Sequence, residues 1–383
     1  MQTIASKLPN VGTTIFTVMS RMAAEHGAIN LSQGFPDFPV APELIELISE
    51  SMKKGYNQYA PMAGLPALRE QLAEKIKNMG GVDINPDTEI TVTAGATEAL
   101  FGSIAAIIHP GDEVIVLEPA YDSYIPAIEL AGGVPVSIPL QQPDFNINWQ
   151  EVNARTNDRT RMIIINTPHN PTGTTLKAAD TDALRLLLEE NPNLLVLSDE
   201  VYEHIIFDGA NHQSVLNDPL LQQRSIAVYS FGKTFHATGW KVGYVVAPEA
   251  LSKEIRKVHQ YLTFSVHTPT QVAIASYLEN EAHYRNIPQF YQKKRDLFLE
   301  EIKGSGFKVI PSEGTYFQLL SYGDISDEPD QQFAERLTKT HKIASIPISV
   351  FYSEPEDNSI LRFCFAKEDE TLAAAGKVLR NIS

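Results

Sequence analysis

Cysteine is nearly missing from this chain. The 383 residues hold one, Cys364, so no intrachain disulfide can form and a reducing compartment suits the protein. Positive charge is also short. Thirty-one lysines and arginines face 47 acids, and the formal net charge of −16 repels phosphate backbones and anionic membranes. Nucleic acid and membrane are therefore not expected partners, although a local cationic pocket for a small anion stays open. No apolar run approaches the roughly 18 residues that span a bilayer. The opening "MQTIASKLPNVGTTIF" lacks the apolar stretch of a signal peptide and the arginines of a transit peptide, so a cytoplasmic protein is expected. The ten histidines are scattered without i, i+4 pairs or Cys/His clusters, and no protein-held metal is expected.

What is present is an ordinary globular composition, 43% apolar, with enough chain for two or three domains. Seven short β-branched runs recur: "EITVTAG", "DEVIVLE", "VPVSIPL", "RMIIINT", "LLVLSDE", "SIAVYSF" and "WKVGYVVA". Helical patterns such as "TEALFGSIAAII" and "TDALRLLLEE" lie between several of them. Strands apolar on both faces and alternating with helices predict an α/β fold with a mostly parallel seven-stranded sheet covered by helices. From about residue 275 the pattern changes to one long charged helix, "YRNIPQFYQKKRDLFLEEIKGSG", and the strands "FKVIP", "TYFQLLSY", "KIASIPI" and "ILRFCFA", a smaller α+β unit. Residues 1–44, with "SQGFPDFPVAP", read as an arm rather than a core element. The expected division is thus 1–44 an arm that contributes to the small domain and the active site, 45–275 the large ligand-binding domain and 276–383 the small C-terminal domain.

The stretch "SFGKTFHATGWKVGY" (230–244) contains Gly-Lys-Thr, and "LLVLSDE" upstream ends in two acids. A phosphate-cradling loop of the G-x-x-x-x-G-K-[ST] type fails here. Its first glycine would be Ala227, inside an apolar run that reads as strand, and the acidic strand precedes the lysine. A lysine at the end of a sheet strand instead sits where α/β ligands bind, and burial there makes it nucleophilic. A solvated surface lysine is the bland alternative, and its neighbours decide between the two.

Pyridoxal phosphate needs a lysine for its aldehyde, an acid for its ring nitrogen, donors for its phosphate and a flat face for its ring. Lys233 and Asp199 end strands at one sheet edge, although an Asp after a strand also suits a helix N-cap. "TVTAGATEAL" runs from strand into helix, where free amides attract anions, or where a plain tight turn sits. Ser230 and Lys241 flank the lysine. Tyr121 follows another strand end, and Asn170 and Tyr202 could donate to the ring oxygen.

Taken together, "NLSQGFPDF", "NQYAPMAGLPALRE", "NTPHNPTG", "SDEVYEH", "SFGKTFHATGWKVGY" and "LRFCFAK" resemble the fold-type I pyridoxal-phosphate aminotransferases, in particular the methionine, glutamine and kynurenine group, over nearly the whole length. The resemblance implies Lys233 as the lysine that takes the cofactor's aldehyde, Asp199 at the ring nitrogen, Asn170 and Tyr202 at the ring oxygen, and Tyr121 as the stacking ring. Ala96, Thr97, Ser230 and Lys241 would bind the phosphate. Tyr59 would reach the phosphate of a neighbouring subunit, making a homodimer part of the site. Arg362 lies in an apolar strand, where a structural salt bridge is one reading; the resemblance assigns it to the substrate α-carboxylate, with Gly34 adding a backbone amide and Phe16 lining the side-chain pocket.

The implied activity is ping-pong transfer of an amino group from an amino acid to a 2-oxo acid. A cysteine-conjugate β-lyase on the same site and a non-catalytic sensor module are the competing readings. "TTIFTVM", "NQYA" and "EPAYDSY" offer aromatic and aliphatic walls without a second cation, so apolar, thioether or aromatic donors are expected over aspartate and glutamate. Arg21 or Arg256 would reverse that expectation if either reached the pocket.

Overall fold

Runs that are apolar on every residue must be covered on both faces, and the runs in the middle of the chain are. The structure, a computed structural model, describes residues 4–354 and 356–382. In chain order its strands are β1 Ile29–Asn30, β2 Ile90–Thr93, β3 Glu113–Glu118, β4 Val134–Pro139, β5 Thr160–Asn166, β6 Leu195–Asp199, β7 Ser225–Ser230, β8 Gly243–Val246, β9 Lys308–Ile310, β10 Phe317–Ser321, β11 Ile343–Ala344, β12 Ile346–Pro347 and β13 Ile360–Cys364. Seven of them form one sheet in the order β2-β8-β7-β6-β5-β3-β4. Only β8 runs against its neighbours. Met162 to Ile165 of β5 and Ile226 to Val228 of β7 are fully buried, as a sheet with helices on both faces requires.

The register places the chemistry. Asn166 pairs with Asp199, and Asp199 with Val228, so the carboxyl ends of β5, β6 and β7 form one edge and deliver Asn166, Asp199 and Ser230 side by side. The helix Gly95–Ile107 starts beside that edge and packs along β7 and β8.

The remaining strands build an antiparallel sheet, β12-β13-β10-β9, and a two-stranded parallel pair, β1-β11. Three details depart from the sequence reading. The long charged helix is two, Ala282–Arg285 and Ile287–Glu301, because Pro288 has no N–H to give and so begins a new helix. "KIASIPI" divides between two sheets: Ile343–Ala344 pairs with β1, and Ile346–Pro347 pairs with β13. The early residues are more than an arm. They supply the helix Ile15–His26 and β1, and Met19, Ala23 and Leu31 are buried in the core.

Candidate active site

Beyond the carboxyl edge of β5 to β7 lies a cavity of about 230 Å³. Phe16, Gly34, Ala96, Thr97, Tyr121, Asn170, Asp199, Tyr202, Ser230, Lys233, Lys241 and Arg362 all line it. These residues come from eight separated stretches of chain, and the fold brings them together around one space.

Asp199 is only 4% exposed. It accepts from Tyr124 Oη at 2.6 Å and from the Val201 amide at 3.3 Å, both neutral donors. Burial pushes its carboxyl up to about 6, and the Tyr124 hydrogen bond opposes the shift. Asn166 ties the neighbouring strand end to this position: its Nδ2 donates to Asp199 O at 2.9 Å, and its Oδ1 accepts from the Asn170 amide at 2.7 Å. Asn170 is thereby fixed at the cavity wall.

Lys233 lies in the short helix Phe231–Thr234 directly after β7. Its side chain still opens to the cavity, but the protein around it lowers its pKa to about 8, chiefly by burial, with Arg362 adding to the effect. Near pH 8 about half of this amine is neutral, where an ordinary lysine would be well under about 1% neutral. Its Nζ donates to Tyr316 Oη at 2.7 Å and to Gly34 O at 3.2 Å.

The opposite wall suits an anion. Gly95 opens its helix at φ +79°, a conformation that disfavours a side chain, and a Cβ there would lie 3.2 Å from Lys241 Cε. The first-turn amides of Ala96 and Thr97 belong to the positive end of a 13-residue helix. Lys241, held in a left-handed backbone turn, reaches Thr97 Oγ1 at 3.5 Å. Tyr121 packs edge-on against Tyr124, with ring centroids 5.7 Å apart.

Arg362 projects from β13 and is 1% exposed. Its hydrogen-bond partners are neutral: Nη1 donates to Asn170 Oδ1 at 2.7 Å and Nη2 to Ser32 O at 3.2 Å, while the buried Nε finds no acceptor among the described residues. The Phe317 ring lies 3.9 Å from its guanidinium carbon, and Phe16 and Phe351 are each at 5.3 Å. Burial lowers its pKa to about 10. Among the described residues, then, a buried guanidinium and a buried carboxylate that make no direct ion pair face the same cavity. Both are costly unless a ligand completes them, since buried charges are ordinarily paired. That pair of unmet charges fits a ligand with an anionic group at one end and a protonated ring nitrogen at the other.

Tyr59, expected to serve a neighbouring subunit, lies outside the cavity of its own chain. It is 82% exposed and meets Phe264 edge-on at 5.4 Å. Neither of the two arginines that could have supplied a distal cation lines the cavity. Arg256 is fixed to Thr91 Oγ1, Asp87 O and Ile90 O at 2.7 to 2.9 Å, and Arg21 pairs with Glu25 on an exposed helix face. Gly34 presents its carbonyl to Lys233, although its amide was the group expected to act. Tyr124, Asn166 and Tyr316 escaped the sequence reading. Asn166 was within reach, since it opens "NTPHNPTG" at a predicted strand end, whereas nothing local marks Tyr316, which comes from the other sheet. A larger cavity of about 360 Å³, between residues 140–147, 174–180 and 310–313, holds none of the expected residues.

Known proteins share this arrangement of chain. The family model for aminotransferase class I and II matches residues 26–379. The chain is 51% identical to methionine aminotransferase of Escherichia coli over 98% of each chain, and 33% identical to kynurenine–oxoglutarate transaminase 1 of Homo sapiens over 98% of this chain and 97% of the other. Among solved structures, YbdL of Escherichia coli, identified as having a methionine aminotransferase function, superimposes with a TM-score of 0.97 at 50% identity, covering 99% of this chain and all of the other.

Proposed function

The chain belongs to the class I and II aminotransferases, and we propose that it moves the amino group of an apolar, thioether or aromatic L-amino acid to a 2-oxo acid, with methionine, phenylalanine, tyrosine, kynurenine and glutamine as the donor set. The observation that carries this reading is the cavity wall. Its cations are Lys233, Lys241 and Arg362, each with a task near the reacting atoms, and the side-chain end is formed by Phe16 and Tyr121.

We assign pyridoxal phosphate as the cofactor, with Lys233 for its aldehyde, Asp199 for the ring nitrogen, Asn170 and Tyr202 for the ring oxygen, Tyr121 for the ring face, and Ala96, Thr97, Ser230 and Lys241 for the phosphate. When bound, it supplies an electron-poor ring that accepts the electron pair released at the substrate Cα. The rest is done by the chain. Arg362 grips the α-carboxylate by parallel hydrogen bonds, for which its unpartnered Nε is a ready donor. That grip orients the Cα–H bond. The Lys233 amine, largely neutral at mildly alkaline pH, then takes the Cα proton as general base. Asp199, held by Tyr124, keeps a negative charge where positive charge is wanted. Release of the first 2-oxo acid before the second binds makes the kinetics ping-pong.

The same wall sets specificity. Beyond Lys233, Lys241 and Arg362 the cavity lining offers a distal carboxylate no further cation. Each methylene buried against the aromatic wall contributes about 0.8 kcal/mol. A panel of amino donors, read by 2-oxo acid release with several acceptors, should show kcat/KM for methionine or phenylalanine exceeding that for aspartate and glutamate by about tenfold or more, equivalent to about 1.4 kcal/mol. Aspartate as the best donor would overturn this assignment.

A homodimer completes the proposal, with Tyr59 reaching the partner's phosphate site. An isolated chain leaves Tyr59 and its contact Phe264 exposed together, as an unpaired interface would. Tyr59→Phe should lower cofactor affinity several-fold, measured by equilibrium dialysis, without lowering thermal stability; unchanged affinity, or a fully active dilute monomer by analytical ultracentrifugation, would contradict the shared site. The division at residues 44 and 275 is likewise our assignment, supported by the four-stranded sheet falling wholly after residue 276. The buried, unpaired Cys364 is compatible with the cytoplasm, where we place the protein.

A further inference from the structure

Lys233 is held by a pair of oxygens to which the steps above give no role. Its Nζ donates to Tyr316 Oη at 2.7 Å and to Gly34 O at 3.2 Å, and Tyr316 Oη donates to the same carbonyl at 2.5 Å. The phenolic proton is thus committed to Gly34, which leaves Tyr316 only lone pairs to offer, so the lysine is the donor in both of its contacts. A neutral amine has two N–H bonds and one lone pair. With both N–H bonds drawn onto the wall, the lone pair is the part of the amine left for a group in the cavity that Lys233 lines.

Neither oxygen can easily move. Tyr316 is wholly buried and hemmed in by the rings of Tyr202, Tyr291 and Phe317, with centroids at 5.2, 5.7 and 4.9 Å. The Gly34 loop is pinned on both sides. Arg362 Nη2 holds Ser32 O at 3.2 Å, Lys367 Nζ holds Phe35 O at 2.9 Å, and Asp37 accepts from the Glu368 amide at 2.6 Å and from Thr371 Oγ1 at 3.1 Å. A Cβ on Gly34 would come 2.9 Å from Phe317 Cζ, so the carbonyl approaches the lysine only because this residue has no side chain.

We propose that Tyr316 and the Gly34 carbonyl form a clamp that aims the lone pair of free Lys233 into the cavity, making Tyr316 a positioning residue for capture of the cofactor aldehyde and for the proton transfer at Cα. This rests on Lys233 being the lysine that takes the cofactor. The loop that carries Gly34 also carries the Ser32 carbonyl held by Arg362, so the substrate-gripping arginine and the base are referred to one rigid segment.

The test uses the full chain stripped of cofactor, with two readouts. Competitive acetylation of Lys233 across pH, followed by mass spectrometry, gives the titration midpoint of the amine; mixing with pyridoxal phosphate, followed by absorbance, gives the rate of capture. In Tyr316→Phe the midpoint should fall, because an oxygen that stabilises the ammonium is gone. The capture rate at high pH, where every amine is neutral, should nonetheless drop about tenfold through lost orientation. Gly34→Ala, which displaces the other acceptor against Phe317, should slow capture in the same way and serves if Tyr316→Phe does not fold. Tyr291→Phe, which keeps the ring beside Tyr316 and removes only a hydroxyl bonded to His236, should leave both readouts unchanged. A Tyr316→Phe protein with wild-type midpoint or wild-type limiting capture rate overturns the proposal, as does equal slowing by Tyr291→Phe. Borohydride fixation separates the two claims: label on another lysine ends the reading of Lys233, whereas label on Lys233 with full-speed capture in Tyr316→Phe ends the clamp alone.

Discussion

Lys233→Ala should fold, bind pyridoxal phosphate weakly, and turn over at least about ten-thousandfold more slowly than the wild type, the upper range for loss of a positioned general base. Burial lowers the pKa of this amine to about 8, and on the proposed assignment its removal takes away both the group that would hold the aldehyde and the group that would take the Cα proton. Fixation by borohydride checks the assignment directly: wild-type protein should yield one modified peptide, containing Lys233, and the variant none. A small added amine such as methylamine should restore part of the activity, since the base is missing while Arg362 and Asp199 remain in place. Label on Lys241, or turnover within tenfold of wild type, would remove Lys233 from the centre of the reaction.

How much of this was visible in the sequence depended on whether the signal was local. Strand ends are local: "LLVLSD" and "SIAVYS" placed Asp199 and Ser230 at one edge because buried runs of this kind have only one arrangement in a parallel sheet. The helix after "TVTAG" was likewise readable from small residues leading into a helical pattern. What could not be read was contact between distant segments. Tyr316 lies 83 residues from Lys233, and Tyr124 lies 75 from Asp199; each carries a hydroxyl that a sequence pattern treats as one more core aromatic. The committed state of Arg256 belongs to the same class, since its three oxygen partners lie more than 160 residues away. The break at Asn286 was visible in principle, because Pro288 cannot continue a helix begun before it, and the charge pattern across it obscured the stop.

Asp199→Asn is the second large effect. The variant should keep the fold and bind the cofactor, yet lose about a thousandfold in kcat, the scale on which one preorganised electrostatic contact acts in a dry site. On the proposed assignment an amide at this position would not stabilise a positive charge on the ring nitrogen, while Arg362 would still bind the carboxylate, so KM should change little. The cofactor-free chain should answer in the opposite direction. Burial raises the Asp199 carboxyl from its ordinary value of 3.8 to about 6, so the folded chain holds this proton more tightly than the unfolded chain does. Stability therefore falls as pH rises from about 4 to 6, and the cost is fully present above 6, on the order of 3 kcal/mol before relaxation. Asn, which never ionises, escapes that cost. Thermal unfolding of the cofactor-free proteins should then show Asp199→Asn gaining on the wild type at pH 8 relative to pH 4, even as its loaded form is nearly inactive. Near-normal turnover would sink the electrostatic role, and a variant equally shifted at both pH values would mean that Asp199 is not an unpaired buried carboxylate in the empty site.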